Sequence, residues 1–387
     1  MDVAALKRTW AAAGALGDQV PLYFYSHLFL SHPELRELFP ISMAAQRDRL
    51  VGALGRIVSS VDELDHEIGF IEQLGRDHRR FAVVAQHYDA VGASLLATLE
   101  RFLGPEWTPQ LAADWAQAYG IIARTMVIAA EESEETSPAW WDAEVISKER
   151  RTLDLAVLQV LPDPPLDYLP GQSLAVEIPQ RQRQWRYLSP ANAPRPDNTI
   201  ELHAQIVPGG QVSGALVRAV KPGDTVKVGA PIGEQLVLPD TEPRDLVMIA
   251  GGTGLAPMLS LVDGLWQRRR EQGGGPSVQL FHGARYPWNL YEHNRLTALA
   301  EHPWFDYTPV VSDDPTYHGH RGMVGEVAAD PRWVGRLAMV CGSPPMVGST
   351  AAALRSAGFD ESDIRYEQFG AVDETSHSPH PQIQEHQ

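Results

Sequence analysis

His78 lies in the run Gly75-Arg76-Asp77-His78-Arg79-Arg80-Phe81. A neutral imidazole can bind a metal through one ring nitrogen while a hydrogen bond steers the other. A histidine on a helix is more often a plain surface or core residue, so its surroundings must decide. Further along, Gly251-Gly252-Thr253-Gly254-Leu255-Ala256-Pro257 follows an apolar stretch and opens a helix. Glycines let backbone approach a pyrophosphate, and a helix N-terminus favours its negative charge. The same run fits any tight strand-to-helix turn. Val340-Cys341-Gly342-Ser343-Pro344-Pro345-Met346 repeats the pattern, and Arg186-Tyr187-Leu188-Ser189 can grip a phosphate or be an ordinary edge strand. Gly209-Gly210-Gln211-Val212-Ser213 is a glycine turn entering a helix. Tyr366-Glu367-Gln368-Phe369-Gly370 reads equally as a final strand with a core aromatic.

These residues need elements to hold them. Residues 1–136 carry helical periodicity without strand alternation, with helices expected at roughly 2–16, 18–30, 42–59, 64–79, 86–103 and 108–132. Leu22, Tyr25 and Phe29 share a face, and Pro33 suits the first turn of a new helix. The acidic run from Glu131 to Pro138 reads as a solvated linker, and Trp140-Trp141 as packing at the joint. From about residue 148 the pattern turns to β. Leu153, Leu155, Val157 and Val160 alternate with polar residues, Leu169-Pro170-Gly171-Gln172 is a turn, and Leu174, Val176 and Ile178 alternate again. With Glu201–Ile206 and Thr225–Val228 they suggest a small antiparallel barrel. Leu246–Ala250, Val278–His282 and Ala338–Cys341 are continuous apolar strands, each followed by a helical stretch, as in a doubly wound parallel α/β domain. The expected units are therefore 1–136, 148–240 and 243–372, with a polar, disordered tail at 373–387.

With 387 residues, the chain can hold two or three domains. A net charge of -17 argues against a nucleic-acid partner and an anionic membrane surface. The single cysteine, Cys341, excludes an internal disulfide framework and multi-cysteine metal sites, and fits a reducing cytoplasm. The N-terminus lacks the basic and apolar regions of a signal peptide. No uncharged apolar run is long enough to span a bilayer.

The five motifs, in this order over about 148–372, resemble the ferredoxin–NADP reductase superfamily of flavin reductases. The resemblance implies that Arg186, Tyr187, Leu188, Ser189, Gly210, Val212 and Ser213 bind FAD on the barrel. It implies that Gly252, Thr253, Gly254, Leu255, Ala256, Pro257, Cys341 and Gly342 bind NADH or NADPH on the α/β domain, and that Glu367 is a cofactor-binding residue. Tyr168 would touch FAD and Phe369 would lie near the isoalloxazine. The family's flavin-stacking tyrosine falls on Leu188, a departure that changes the stacking contact. Arg285 could meet the adenosine ribose, a 2′-phosphate, or only solvent, which leaves the nucleotide open.

The helical half, over most of residues 1–132, resembles the globin domain of flavohaemoglobins. Phe24-Tyr25-Ser26-His27-Leu28-Phe29 matches the distal helix, Pro33–Phe39 the corner whose Phe39 wedges the haem, and Gln46-Arg47-Asp48-Arg49-Leu50 the distal Gln and Leu. Arg49 is the alternative to Gln46. His78 matches the proximal iron ligand, and Tyr88 its tyrosine partner. Two positions depart: the family's proximal Glu falls on Ala130, with Glu131 roughly 100° round the helix, and Asp77 replaces a Lys beside the ligand. A weaker electron push on the iron is expected.

The resemblance implies a globin, an FAD barrel and an NAD(P) domain, carrying haem b, FAD and NADH or NADPH. It implies a cytoplasmic, monomeric nitric oxide dioxygenase whose small-molecule partners are O2 and NO. Two alternatives remain: a flavin reductase with another acceptor, and a haem gas sensor whose reductase only resets the iron.

Overall fold

The computed structural model describes residues 1–62 and 64–369, so the expected tail at 373–387 lies outside the described residues. The fold divides into two compact units, one of Met1–Ala139 and one that begins at Trp140. Among the described residues no helix is long and apolar enough to cross a membrane.

The first unit is helical: α1 (Val3–Gly14), α2 (Gln19–Ser31), α3 (Ala44–Ser59), α4 (Leu64–His78), α5 (Ala85–Leu103) and α6 (Pro109–Thr136). Asp2 accepts from Ala5 N and Thr108 from Leu111 N, each satisfying an orphan donor of a first turn. Pro33 opens a short 3-10 turn, Pro33–Leu38, which stands where a new helix was expected. Phe24, Leu28, Leu99 and Trp115 are buried at the centre.

One expectation fails at α6. The acidic run read as a linker continues the helix to Thr136. Glutamate is a good helix former. The last turn is held from outside by Arg79, whose guanidinium donates to Ser133 Oγ and to the Ser137 carbonyl, each at 2.7 Å. A cation at a helix C-terminus is favourable on electrostatic grounds.

The second unit starts with an antiparallel sheet: β1 (Trp141–Arg150), β2 (Leu155–Asp163), β3 (Ser173–Glu177), β4 (Arg186–Leu188), β5 (Ile200–Gln205) and β6 (Thr225–Ile232), with α7 (Gln211–Arg218) before β6. Its order is β4-β3-β6-β1-β2-β5. The sheet curls round one core, and its two ends are linked only by the bridge Pro190–Leu202, not by a full ladder. The β region starts at Trp141, ahead of the expected 148, and Trp141 packs in the sheet core. Buried Trp141, Ala143 and Val145 alternate with exposed Asp142 and Glu144. That alternation is present in the sequence, but Ala, Asp and Glu are poor strand formers and mask it. Leu153, read as a strand residue, is 85% exposed in the turn between β1 and β2.

A parallel sheet follows: β7 (Leu246–Gly251), α8 (Leu255–Gln272), β8 (Val278–Ala284), α9 (His293–Leu299), β9 (Phe305–Val311), β10 (His320–Arg321), α10 (Val324–Ala328), β11 (Leu337–Gly342), α11 (Pro344–Ser356) and β12 (Ile364–Gln368). The order is β10-β9-β8-β7-β11-β12, so the chain reverses its direction of travel between β7 and β11. Ligands of doubly wound sheets bind at the carboxyl ends of the strands beside such a reversal. Strand β9 was not read from the sequence.

The two sheets meet through a buried polar network. Glu201 on β5 accepts from Arg295 of α9 at 2.9 Å and from His203 Nε2 at 3.1 Å. His203 Nδ1 meets the Tyr291 hydroxyl at 2.8 Å, and Arg151 reaches Glu292 at 3.1 Å. A carboxylate only accepts, so His203 carries its proton on Nε2 and Tyr291 donates to Nδ1 when the ring is neutral.

Candidate functional site

His78 is the last residue of α4, and its Nδ1 lies 2.6 Å from the Leu74 carbonyl oxygen. A carbonyl has no proton to give, so Nδ1 carries the hydrogen and the neutral ring keeps its lone pair on Nε2. The ring lies beside Phe81 and Tyr88, at centroid distances of 6.3 and 6.4 Å. Burial pushes the Tyr88 phenol up to about 12. Two glycines set this geometry. A Cβ on Gly75 would lie 2.7 Å from Met126 Cα, so α4 touches α6 backbone to backbone just before His78. A Cβ on Gly92 would lie 2.6 Å from the Tyr119 ring, whose hydroxyl donates to the Tyr88 carbonyl at 2.7 Å.

Tyr25 is buried against Phe24, Phe29 and Phe39, with ring centroids 4.9, 5.8 and 5.6 Å away. Burial pushes its hydroxyl pKa far up, so it remains a proton donor. It donates to the backbone carbonyl of Gln46 at 3.3 Å. A hydrogen bond with Gln46 also pulls that pKa down, against the burial that raises it. Leu50 is half-buried against the same core. Ala130 is half-buried, and the neighbouring Glu131 is exposed. Asp77 accepts from Gln73 at 3.2 Å and Arg80 at 3.3 Å.

In the second unit the glycine loop rests on the end of β11. Gly252 has a φ of 55°, and a Cβ on Gly254 would collide with the Cys341 carbonyl oxygen. Thr253 is half-buried, while Leu255, Ala256 and Pro257 are buried in the first turn of α8. A Cβ on Gly342 would lie 2.8 Å from Met346 Sδ. Phe369 N donates to the Gly342 carbonyl at 2.8 Å, which pins the end of β12 beside the same loop.

Ser173 Oγ links two expected site residues, Ser189 Oγ at 2.9 Å and Glu367 Oε1 at 3.0 Å. Burial pushes the Glu367 carboxyl up to about 7, against the Ser173 hydrogen bond, which pulls it down. Cys341 is fully buried, and burial with the nearby Glu367 raises its thiol pKa. The sequence reading missed Ser173, although one small polar residue opening an apolar strand was a usable signal.

Leu188 pairs with Leu174 across β3 and β4 and packs on the sheet core, so Tyr187 takes the other face. Arg186 is exposed and donates to the Trp185 carbonyl at 2.7 Å. Tyr168, expected at the flavin, is buried, and its hydroxyl donates to the Asn192 carbonyl at 2.8 Å. Gly210 precedes α7, Val212 is buried, and Ser213 Oγ accepts from Val207 N at 3.1 Å. Arg285 Nε donates to Asp313 at 2.8 Å.

Three families match along the chain: globin over residues 22–126, oxidoreductase FAD-binding domain over 141–236 and oxidoreductase NAD-binding domain over 248–352. The flavohemoprotein of Bacillus subtilis (strain 168) is 25% identical over 381 residues, covering 92% of this chain and 93% of that protein. From the globin domain to the nucleotide-binding domain, the chain is similar to the flavohaemoglobin family. The family's fold recurs in the crystal structure of flavohemoglobin from Malassezia yamatoensis with bound FAD and heme, which has a TM-score of 0.70 at 18% identity over 95% of this chain and 99% of that one. The reductase half has a second likeness. The reductase component of phenol 2-monooxygenase from Pseudomonas sp. (strain CF600) is 34% identical over 219 residues, covering 55% of this chain and 60% of that protein.

Proposed function

We propose that this chain is a flavohaemoglobin, an NAD(P)H-dependent flavohaem oxidoreductase of the nitric oxide dioxygenase type, which turns NO and O2 into nitrate. The observation that carries the reading is the His78 Nδ1–H fixed on the Leu74 carbonyl, in one chain with FAD- and NAD-binding domains. That hydrogen bond fixes the tautomer whose Nε2 carries the lone pair, the donor an iron needs. The aromatic wall around Tyr25 suits haem, and loop glycines with no room for a Cβ suit a pyrophosphate.

His78 would hold the haem iron and Phe39 would wedge the ring. Arg186, Ser189, Gly210, Val212 and Ser213 would hold FAD; residues 252–257 with Cys341 and Gly342 would hold the nucleotide. When bound, haem b, FAD and NAD(P)H supply gas binding, one-electron transfer and hydride donation respectively.

The chain's own residues do the positioning. The Leu74 carbonyl orients the imidazole and makes it a stronger donor. Without a carboxylate at position 130, this push is weaker than a charged partner would give. Phe24, Phe29 and Phe39 exclude water around the Tyr25 hydroxyl. That hydroxyl's bond to the Gln46 carbonyl is long at 3.3 Å, so it is readily given up for a bound gas ligand. Leu50 packs on the same core as Tyr25, and Tyr88 lies beside His78. Tyr187 lies on the strand face opposite the core-packed Leu188.

The test is NO consumption in air by the purified holoprotein with NADH, beside His78→Ala. Fast consumption with nitrate as product, lost in the variant, is the expected result. The second reading is a flavin reductase with another acceptor, favoured by the 34% identity to an oxygenase reductase component. Rapid flavin reduction without NO consumption would decide for it.

A further inference from the structure

The nucleotide itself is readable from the ends of β8 and β9, given the proposed function above. The glycine loop at the end of β7 is the pyrophosphate seat. Cys341, Glu367 and Ser189 lie to one side of it, at β11, β12 and the FAD sheet. The adenosine half of a dinucleotide therefore extends the other way, over β8 and β9.

Two loops are joined there. Ser312 N donates to the Ala284 carbonyl at 3.0 Å, and Asp313 N to the Arg285 carbonyl at 2.8 Å. On this shared backbone Arg285 Nε donates to Asp313 Oδ2 at 2.8 Å. Asp314 follows, fixed by the backbone N–H of Thr316 at 2.8 Å and its hydroxyl at 2.6 Å. Beside Arg285, Tyr286 and Trp288 stack at 4.7 Å and 7°, and Trp288 is 66% exposed. Such a surface suits a purine ring.

The Arg285 side chain is 79% exposed, and an ion pair that open to water adds little to stability. Its meaning is electrostatic. At the end of the second strand an arginine accommodates a 2′-phosphate, whereas a carboxylate binds the 2′-hydroxyl. Here the arginine is already neutralised, and a further carboxylate stands next to the pair. The next cation along the sheet, Arg321, donates to the Pro315 carbonyl at 2.6 Å. A 2′-phosphate would bring further negative charge to two carboxylates, while a ribose diol can donate to them.

We propose that the Arg285–Asp313 pair, with Asp314 beside it, makes this site select NADH over NADPH.

The test uses the full-length, FAD-loaded protein with ferricyanide as acceptor, so that the readout does not depend on NO chemistry. It measures kcat/KM for both nucleotides and calorimetric binding of 5′-AMP and 2′,5′-ADP. The wild type is expected to prefer NADH by about tenfold or more and to bind 5′-AMP more tightly than 2′,5′-ADP. Asp313→Asn should raise the NADPH-to-NADH ratio by about tenfold, with 2′,5′-ADP binding tightened in parallel. A wild type that uses both nucleotides equally, or an unmoved ratio in the variant, overturns the proposal. Selective NADH oxidation without NO consumption leaves it standing and overturns only the dioxygenase reading. Flavin reduction by neither nucleotide overturns both.

Discussion

Ser173 places one hydroxyl between two groups that belong to separate motifs, Ser189 and Glu367. It donates to Glu367, so its lone pairs remain for Ser189. The hydrogen bond favours the charged carboxylate, and Ser173→Ala should move the Glu367 titration above its present value of about 7. The sign for stability follows. Between its ordinary 4.5 and about 7 the folded carboxyl holds more proton than the unfolded one, so stability falls as pH rises through that window. In Ser173→Ala the fall should run to higher pH, and in Glu367→Gln it should vanish. Urea unfolding between pH 4 and 9 checks both; identical profiles in the three proteins would remove Glu367 from the account. Cys341, Ser189 and Glu367 each sit in a local motif of the sequence. Ser173 was not legible there, because its partners lie 16 and 194 positions away.

Helices α4 and α6 meet where Gly75 has no side chain. A methyl group there would have to push the backbones apart, and His78 rides on the displaced end of α4. Gly75→Ala should cost about 1–3 kcal/mol of stability and shift the Soret band of the haem-loaded protein. Gly69 lies on the same helix with nothing within 4 Å of a Cβ, so Gly69→Ala should leave the spectrum unchanged and add up to about 1 kcal/mol. Thermal melts and spectra of the pair separate close packing from helix propensity; equal responses would mean that the contact carries nothing. The helices were legible from apolar periodicity. Their mutual approach was not, because periodicity marks a face and not the distance to what it meets. The end of α6 was misread for a related reason: its stop depends on Arg79, far back in the chain.

In the second unit β5 ends the antiparallel sheet, yet its residues Ile200–Ala204 are buried, because the parallel half packs over it. Glu201 holds this seam. Burial pushes its carboxyl up, but His203 and Arg295 outweigh that and hold it at about 2. Its stabilising contribution is present above 4.5 and lost as pH falls through about 2. Glu201→Gln should lose about 2–3 kcal/mol near neutrality, allowing for the solvent access of Arg295, and should flatten the acid limb of the unfolding profile. An unchanged acid limb would count against the seam. Domain order was legible in the succession of five motifs, whereas this seam was not, because a strand buried on both faces loses its alternation. The parallel half also carries the chain's single cysteine, Cys341, wholly enclosed in β11 with burial and Glu367 keeping its thiol protonated. Nitrosating agents and peroxides attack thiolates that they can reach. Under the proposed activity the chain would therefore offer nitrosating species no exposed cysteine sulfur.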